Sequence, residues 1–227
     1  MDKTAYSNHA QGWELAEKST LNSESGTLAA FRTRAESAGF PQCSVAQGSF
    51  LHFLAGRADA ASIILLGTGS VVEAIRLMDG LSGRGQFTAV DSSPEGASLI
   101  RQTFQEEERR NSVLRLRAVN TSAGTYFPRL NPADYDLIVV SGDCRNYQDA
   151  IDHAPRLLKS NGQLVFTDAF ALDAEPKKGG IMNPANRSDK AVTLRTLMDT
   201  LSQEDHLESC LIPVGNGMVL AAKDKQA

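Results

Sequence analysis

The stretch Ile63-Ile64-Leu65-Leu66-Gly67-Thr68-Gly69 decides the fold of this chain. An apolar run that ends in a glycine-containing turn is typical of a buried parallel strand whose carboxyl end opens onto a helix. About twenty residues later, Phe87-Thr88-Ala89-Val90-Asp91 repeats the apolar pattern and ends in an acid. This spacing puts a carboxylate where the ribose of a bound nucleotide would lie, so the sequence predicts a nucleoside-binding site.

The glycine pattern departs from that of a dinucleotide site. A Gly-x-Gly turn is weak evidence alone, because many buried strands end in glycine for turn geometry. The dinucleotide fingerprint has a third glycine, and Val72 takes that position here. Val71 and Val72 also crowd the start of the helix and leave little room for a pyrophosphate. The sequence therefore favours a nucleoside cofactor that lacks a pyrophosphate.

The composition is that of an ordinary globular protein. The 227 residues are 41% hydrophobic, and the formal net charge of -4 argues against general affinity for nucleic acid. Three cysteines at wide separations, without a Cys-x-x-Cys, fit a reducing compartment and oppose a zinc cluster. We find no signal-peptide pattern and no apolar run near the roughly twenty residues that span a bilayer. We expect a cytoplasmic protein that binds neither nucleic acid nor membranes.

The chain divides into two predicted parts. Residues 1–57 are expected to form an N-terminal helical appendage, and residues 58–227 a nucleoside-binding domain. Strands are predicted at 63–66, 86–90, 113–119, 136–140 and 163–168, and helices at 71–81, 94–110, 147–158 and 191–201, with a short helix ending near 130. Gly162 is expected to mark the end of the 147–158 helix with a turn. Such alternation predicts a doubly wound α/β fold, with a parallel sheet covered by helices on both faces.

The last part of the chain separates cofactor classes. Strands at 207–212 and 218–222 flank Pro213-Val214-Gly215-Asn216-Gly217, which predicts a terminal antiparallel hairpin. This hairpin is unlike the usual dinucleotide domain and brings the sheet to seven strands. A polar loop over 171–189, beside the strand ends, is expected to act as a lid.

In this order, these features resemble the class I S-adenosylmethionine-dependent methyltransferases with their Rossmann-like sheet. The nearest match is to the small O-methyltransferases that include the catechol and caffeoyl-coenzyme A enzymes, in an actinobacterial branch. The resemblance covers about residues 41–223 and rests on five segments: Leu66-Gly67-Thr68-Gly69, Thr88-Ala89-Val90-Asp91-Ser92-Ser93-Pro94-Glu95, Tyr135-Asp136-Leu137-Ile138-Val139, Ala154-Pro155-Arg156-Leu157-Leu158-Lys159-Ser160-Asn161-Gly162 and Leu211-Ile212-Pro213-Val214-Gly215-Asn216-Gly217. It implies S-adenosylmethionine as cofactor, S-adenosylhomocysteine as product and a small-molecule acceptor.

The resemblance also implies a set of cofactor-binding residues. The methionine and ribose parts would be lined by Gly67, Thr68 and Gly69, and Asp91 would hold the ribose hydroxyls. The residues that would border the adenine are Ser92, Ser122 and Ala123. Ser141, after the fourth strand, completes the predicted set. A helix-capping role for Asp91 stays open, with Ser92 or Ser93 as alternative caps.

Two departures from the family pattern affect the predicted cofactor site. The family has an acid where Leu65 stands and a third glycine where Val71 stands. Losing a carboxylate beside a sulfonium and ammonium ligand removes roughly 1.5–3 kcal/mol of charge-assisted hydrogen bonding. Glu73 is close enough in sequence to replace that acid, but a glutamate on this helix is expected to be exposed.

The metal motif departs further. The family's Asp-x-Asp-Lys appears here as Ser141-Gly142-Asp143-Cys144, and its Asp-Asn appears as Asp168-Ala169. Magnesium needs several oxygen ligands in near-octahedral geometry. We therefore predict no metal, with an Asp143–Asp168 site as the alternative.

Cys144 stands where the family motif has a lysine that helps to deprotonate the acceptor hydroxyl. Another base would have to take that role. Asp143, Asp168 and His52 are candidates, and we take Asp143 and Asp168 as the predicted catalytic pair. Methyl transfer is an in-line displacement at an activated carbon, so positioning supplies much of the acceleration. Cys144 is more typical of a small packing residue than of a nucleophile.

The predicted function is metal-independent O-methyl transfer to a small hydroxyl-bearing acceptor that binds under the 171–189 loop. The alternative is a catalytically lapsed homologue that acts as a ligand-binding or interaction protein. A nicotinamide dehydrogenase and an RNA methyltransferase are further options. The resemblance also implies a homodimer that packs partly through the N-terminal helices. Such packing would account for Phe50, Phe53 and Leu54, although core packing explains them too.

Overall fold

A computed structural model of the chain describes residues 3–21, 24–57, 60–81, 85–108, 114–172, 178–204 and 207–223. The helices are α1 (Lys3–Leu21), α2 (Gly26–Ser37), α3 (Val45–Arg57), α4 (Val71–Gly80), α5 (Pro94–Glu108), α6 (Ala123–Tyr126), α7 (Tyr147–Leu157) and α8 (Asp189–Gln203). The strands are β1 (Ser62–Gly67), β2 (Gln86–Asp91), β3 (Arg115–Asn120), β4 (Tyr135–Val140), β5 (Leu158–Phe166), β6 (Leu207–Ile212) and β7 (Met218–Lys223). Within these ranges, no helix is long and apolar enough to cross a membrane.

The strands form one seven-stranded sheet in the order β3-β2-β1-β4-β5-β7-β6. β1 to β5 are parallel, whereas β7 runs antiparallel to both β5 and β6. The predicted doubly wound α/β fold with a terminal hairpin is therefore confirmed. Because β1 lies between β2 and β4, the strand order reverses at β1, and ligands of such sheets bind at the carboxyl ends beside this point.

Both faces of the sheet are covered, which explains why β1 is apolar at every position. Ile63 and Leu65 face the side of α2, α3, α4 and α5, while Ile64 and Leu66 face the side of α6, α7 and α8. Side chains alternate between the faces of a strand, so a strand covered on both sides buries all of them.

The N-terminal helices pack on the same face as α4. Leu28 and Phe31 of α2 and Leu51 of α3 belong to one apolar cluster with Leu65 and Val72. The division of the chain at residues 57 and 58 stays a prediction.

The apolar group of α3 separates in the structure. Phe50 and Leu54 are partly buried against the core of the α4 face, whereas Phe53 is 61% exposed. Core packing thus explains the first two side chains, and only Phe53 of the three is on the surface.

The predicted turn at Gly162 is wrong. β5 follows α7 directly at Leu158 and runs through Gly162 to Phe166. Leu158 pairs with Tyr135 and Gln163 pairs with Leu137, so residues 159–162 bulge from the ladder opposite a single residue of β4. A glycine in a strand often marks such a bulge rather than a helix end.

Other boundaries differ by a few residues. The helix predicted at 94–110 begins at Pro94 as expected. Its predicted C-terminal end, the start of the 113–119 strand and residues 173–177 of the predicted lid lie outside the described residues. The described part of that loop is fastened to α8, because the Arg195 guanidinium donates hydrogen bonds to the carbonyl oxygens of Ile181, Asn183 and Asn186.

Candidate active site

A cavity of about 340 Å³ opens at the carboxyl ends of β1 and β4, where the strand order reverses. Its volume lies within the range of small-molecule sites. It is lined by the segment before α3, the turn after β1 and the loops after β4 and β5. The lining residues are Gly39, Phe40, Pro41, Gln42, Cys43, Thr68, Ser70, Glu73, Ser141, Gly142, Asp143, Asp168 and Asn216.

The turn after β1 is held by the segment before α3. Gly69 has a φ of 59°, and a Cβ on it would overlap the Phe40 ring. The Gln42 amide donates to the Gly69 carbonyl at 2.9 Å and accepts from the backbone N–H of Val72 at 2.9 Å. The glycine turn is therefore required by close packing as well as by backbone conformation.

Asp91 ties the two neighbouring turns together. Its Oδ2 accepts from the Gly69 N–H at 2.7 Å, and its Oδ1 accepts from the Ser93 N–H at 2.7 Å. The side chain is 3% exposed, and burial raises the pKa of Asp91 against the lowering effect of these two bonds. These two bonds use two of the about four acceptor positions of an ionised carboxylate. Asp91 does not itself line the cavity, so its role toward a ribose stays a prediction.

The cap of α5 is Ser93, which resolves the alternative left open for Asp91. Ser93 Oγ accepts from the Gly96 N–H at 3.1 Å, the pattern of a helix N-cap. Ser92, the other candidate cap, instead donates to Asp143 Oδ2 at 3.3 Å. The Asp91 carboxylate is thereby left to brace the glycine turn.

The predicted adenine-side residues lie beside β2 at the end of β3. Asn120 donates from its side chain to the Asp91 carbonyl at 2.8 Å, which joins the two strand ends. Ser122 is exposed and caps α6, and the Ala123 N–H donates to Asn146 Oδ1 at 3.4 Å. Neither Ser122 nor Ala123 lines the cavity, so their role toward a ligand stays a prediction.

Glu73 is buried, contrary to the expectation of an exposed helix glutamate. It is 3% exposed and lines the cavity from the first turn of α4. Its Oε1 accepts from Ser141 Oγ at 2.8 Å. Burial raises the pKa of Glu73 to about 7, with Asp168 adding to the effect and its own backbone N–H and Ser141 opposing it. Local periodicity could not detect this, because Ser141 and Arg32, which act on the Glu73 carboxylate, are distant from it in sequence.

Asp143 lines the cavity but is engaged by a neighbouring cation. Its carboxylate accepts from the backbone N–H of Arg145 at 3.1 Å and from Arg145 Nη2 at 2.9 Å. Although burial acts in the opposite direction, these bonds lower the pKa of Asp143. The carboxylate is therefore a weak base at neutral pH.

Asp168 has an unusual backbone and a basic neighbour. Its φ is 55°, in the left-handed region that non-glycine residues rarely adopt. Lys190 Nζ, from the first turn of α8, lies 3.9 Å from Asp168 Oδ2, and both side chains are mostly buried. No local pattern predicts the approach of Lys190, since it lies 22 positions from Asp168 along the chain. Strained backbone of this kind occurs often at functional sites.

Other candidates lie away from the cavity. His52, on α3, contacts the far end of α4 through its carbonyl oxygen near Gly80, and it does not line the cavity. Cys144 packs against the apolar cluster of the α7 face, whereas buried Cys43 lines the cavity. Among the described residues, no three histidine, cysteine, aspartate or glutamate side chains form a group that could hold a metal ion.

The fold and its switch-point cavity define a class I methyltransferase. A family model described as O-methyltransferase matches residues 18–224, so the chain belongs to the O-methyltransferase family and is a methyltransferase. A Mycobacterium bovis BCG protein named as an O-methyltransferase is 31% identical over 212 residues, which cover 93% of this chain and 90% of the relative.

Solved structures agree with this assignment. The cofactor-bound protein Rv0187 from MTB superposes with a TM-score of 0.76 at 25% identity, covering 90% of this chain and 93% of that one. The O-methyltransferase TomG from Streptomyces achromogenes, solved in complex with SAM, has a TM-score of 0.73 at 19% identity, covering 88% and 91%. At that identity, TomG supports the fold alone.

Proposed function

We propose that this protein transfers a methyl group from S-adenosylmethionine to the hydroxyl of a small acceptor, without a metal ion. The observation that carries the proposal is an acidic cavity at the switch point, beside a glycine turn that is braced by Asp91. Membership of the O-methyltransferase family supports the same cofactor, and TomG, which shares the fold, was solved in complex with SAM.

The residues around the cavity fit this cofactor. Glu73, Asp143 and Asp168 give the lining a negative character that suits a ligand with sulfonium and ammonium groups. Burial and fixed hydrogen bonds keep Asp91 oriented toward the glycine turn, which suits recognition of ribose hydroxyls. When bound, the cofactor supplies a methyl group that is already activated on sulfur. The protein's task is then mainly to align the two reactants and exclude water.

We assign the base for the acceptor hydroxyl to Asp168 ahead of Asp143. Both carboxylates line the cavity, and Asp143 accepts several hydrogen bonds from Arg145 that lower its pKa. A carboxylate that already accepts strong hydrogen bonds gains less by taking a proton. Asp143 then contributes mainly negative charge to the cavity.

The chemistry of the remaining ligands supports the proposed independence from metal. Ser141 uses its hydroxyl to donate to Glu73, and Ala169 has no donor atom in its side chain. Asp143 is paired with Arg145, so a divalent cation would have to displace a guanidinium. Magnesium binding by the remaining Asp168 carboxylate would be weak, because the ion prefers several oxygen ligands.

Calorimetry and an acceptor screen test the proposal together. Purified protein would be titrated with S-adenosylmethionine and S-adenosylhomocysteine, in magnesium and in a chelator, and then incubated with labelled cofactor and a panel of phenols, catechols and alcohols. We expect micromolar binding that ignores magnesium, followed by methyl transfer to a hydroxyl. A requirement for magnesium would contradict the metal-independent mechanism, and binding without transfer to any acceptor would favour a ligand-binding homologue.

We further propose that the protein is a cytoplasmic homodimer that contacts its partner through the N-terminal helices. Large apolar side chains are exposed on α1 and α3, including Leu15 at 66% and Phe53 at 61%. Exposed apolar groups of this kind often mark an interface between copies of a chain. Light scattering should give twice the mass of one chain, and Phe53→Ser should shift the protein toward the monomer.

A further inference from the structure

Glu73 presents an unsatisfied carboxylate oxygen beside the cavity. Ser141 donates to Oε1 at 2.8 Å, and Oε2 is buried without a hydrogen-bond partner among the described residues. Leaving a buried acceptor unsatisfied is costly, and leaving a buried charge unpaired costs more. Because Glu73 lines the cavity, a ligand in the cavity can supply the missing donor.

The surroundings of Glu73 favour a cationic donor. Burial raises the pKa of Glu73, and the negative charge of Asp168 raises it further. The Arg32 guanidinium of α2 lowers this pKa. The thiol of Cys43 and the carboxylate of Asp143 line the same cavity, and the pKa of Cys43 is raised by burial and by Glu73. Among the described residues, the lowering effect of Arg32 and of the hydrogen bonds on the pKa of Glu73 is smaller than the raising effect of burial and Asp168.

The position at which the family resemblance places an acid has a different character here. Leu65 is almost completely buried and packs in the apolar cluster of the α4 face. No negative charge is present at that point of β1. Glu73 introduces one from α4 instead, two residues beyond Val71 and beside the same glycine turn.

We propose that Glu73 binds the α-ammonium group of the methionine part of the cofactor and replaces the acid that is absent at Leu65. This inference rests on the proposed function, because it takes S-adenosylmethionine as the ligand. Ser141 orients one oxygen of the carboxylate, and the second oxygen accepts from the ammonium. Glu73 is therefore a recognition residue, and the reacting atoms lie elsewhere.

A proton linkage follows from this assignment. Near pH 7, the ligand-free carboxylate exists in both protonation states, and only the ionised form pairs with an ammonium. Binding must then release a proton at or below this pH. Affinity should rise as the pH is raised from 5.5 toward 7.5, and this rise should be lost in Glu73→Gln.

The decisive experiment compares three ligands in calorimetry. S-adenosylmethionine and S-adenosylhomocysteine both carry the ammonium, whereas 5′-methylthioadenosine lacks the whole amino-acid part. Glu73→Gln should weaken the first two by about 10- to 100-fold and leave the third unchanged, because a charge-assisted hydrogen bond is lost. Asp79→Asn removes a carboxylate from the same helix away from the cavity, and we expect it to bind all three like the wild type.

Each result has a definite meaning. Unchanged S-adenosylhomocysteine binding by Glu73→Gln overturns the assignment, as does an equal loss for 5′-methylthioadenosine, which would indicate a general structural role. A loss confined to S-adenosylmethionine would move the contact to the sulfonium and overturn the ammonium assignment. Absence of binding of all three ligands to the wild type would instead overturn the proposed function. The pH dependence of the wild type tests the linkage even if the variant does not fold.

Discussion

The two halves of the cavity differ in how far they keep the family pattern. On the side of β1 and β2, Gly67, Gly69 and Asp91 are retained, and Asp91 holds the glycine turn with hydrogen bonds of 2.7 Å. On the side of β4 and β5, Ser141 and Ala169 replace expected ligands. The half beside β1 and β2 thus keeps its glycine turn and its acid but departs at Leu65 and Val71, whereas the half beside β4 and β5 is rebuilt at the metal motif. Family membership therefore predicts the cofactor better than it predicts the acceptor chemistry.

The largest expected effect concerns the rebuilt half. Asp168→Asn should lower kcat by roughly 100- to 10,000-fold, since general base catalysis contributes about this much. Asparagine tolerates the left-handed backbone of this position, so the fold should be retained. Steady-state kinetics with the acceptor found by screening would measure the loss. An unchanged kcat would show that the acceptor needs no base here.

The next effect concerns the retained half. Asp91→Ala should weaken binding of both cofactor forms by about 100-fold or more, because charged hydrogen bonds to ligand and turn are lost together. Calorimetry measures this directly. Ser93→Ala is the matched control: it removes the α5 cap, at a cost to stability of about 1 kcal/mol, and leaves the Asp91 carboxylate in place. Equal losses of affinity in both variants would remove the special role of Asp91.

A third effect links the two halves through Glu73, whose pKa is raised in the folded protein. A raised carboxyl pKa means that the native state resists ionisation, so the stability cost begins near the unfolded pKa of 4.5 and grows until about 7. The advantage of ligand-free Glu73→Gln over wild type should therefore grow by about 2 kcal/mol between pH 5.5 and 7.5. Urea denaturation at the two pH values measures it. A constant difference would mean that Glu73 already has a cationic partner.

The smallest expected effect sharpens the division of roles within the rebuilt half. Arg145 is 78% exposed in its side chain, and exposed ion pairs contribute about 0–1 kcal/mol. Arg145→Ala should therefore change kcat by less than about threefold if Asp168 is the base. Removing the guanidinium raises the pKa of Asp143, so a tenfold gain in kcat at neutral pH would transfer the base role to Asp143.

Much of the fold could be predicted from local pattern. The apolar runs at β1, β2 and β4 are each within one residue of their predicted bounds, and the hairpin of β6 and β7 begins where it was predicted. Hydrophobic periodicity and glycine turns depend on neighbouring residues, so they can be recognised without knowledge of the tertiary structure. The turn predicted at Gly162 was wrong because a β-bulge and a helix end both favour glycine for its backbone freedom, so the residue alone does not distinguish them.

The site could be predicted only in part. Spacing alone put Asp91 at the end of β2 and the glycine turn at the end of β1, and both lie at the switch point. The burial of Glu73, the clamp by Gln42 and the approach of Lys190 to Asp168 required the folded chain. Each of these three features joins segments that are distant in sequence. The strength of the resulting contacts depends on the burial and charge of their surroundings.

The sequence by itself therefore determined the sheet, its terminal hairpin, the family and the place of the site. The tertiary structure alone decided that Glu73 is buried against Ser141 and that Lys190 approaches Asp168. The physical reason is that strand and turn patterns are short-range properties of the chain, whereas burial and charge pairing are set by helices that arrive from elsewhere. In the sequence, neither Asp143 nor Glu73 shows whether its carboxylate is buried or paired. The Arg145 guanidinium that engages Asp143 is two residues away in the same loop, whereas only packing buries Glu73 and leaves its Oε2 without a hydrogen-bond partner among the described residues.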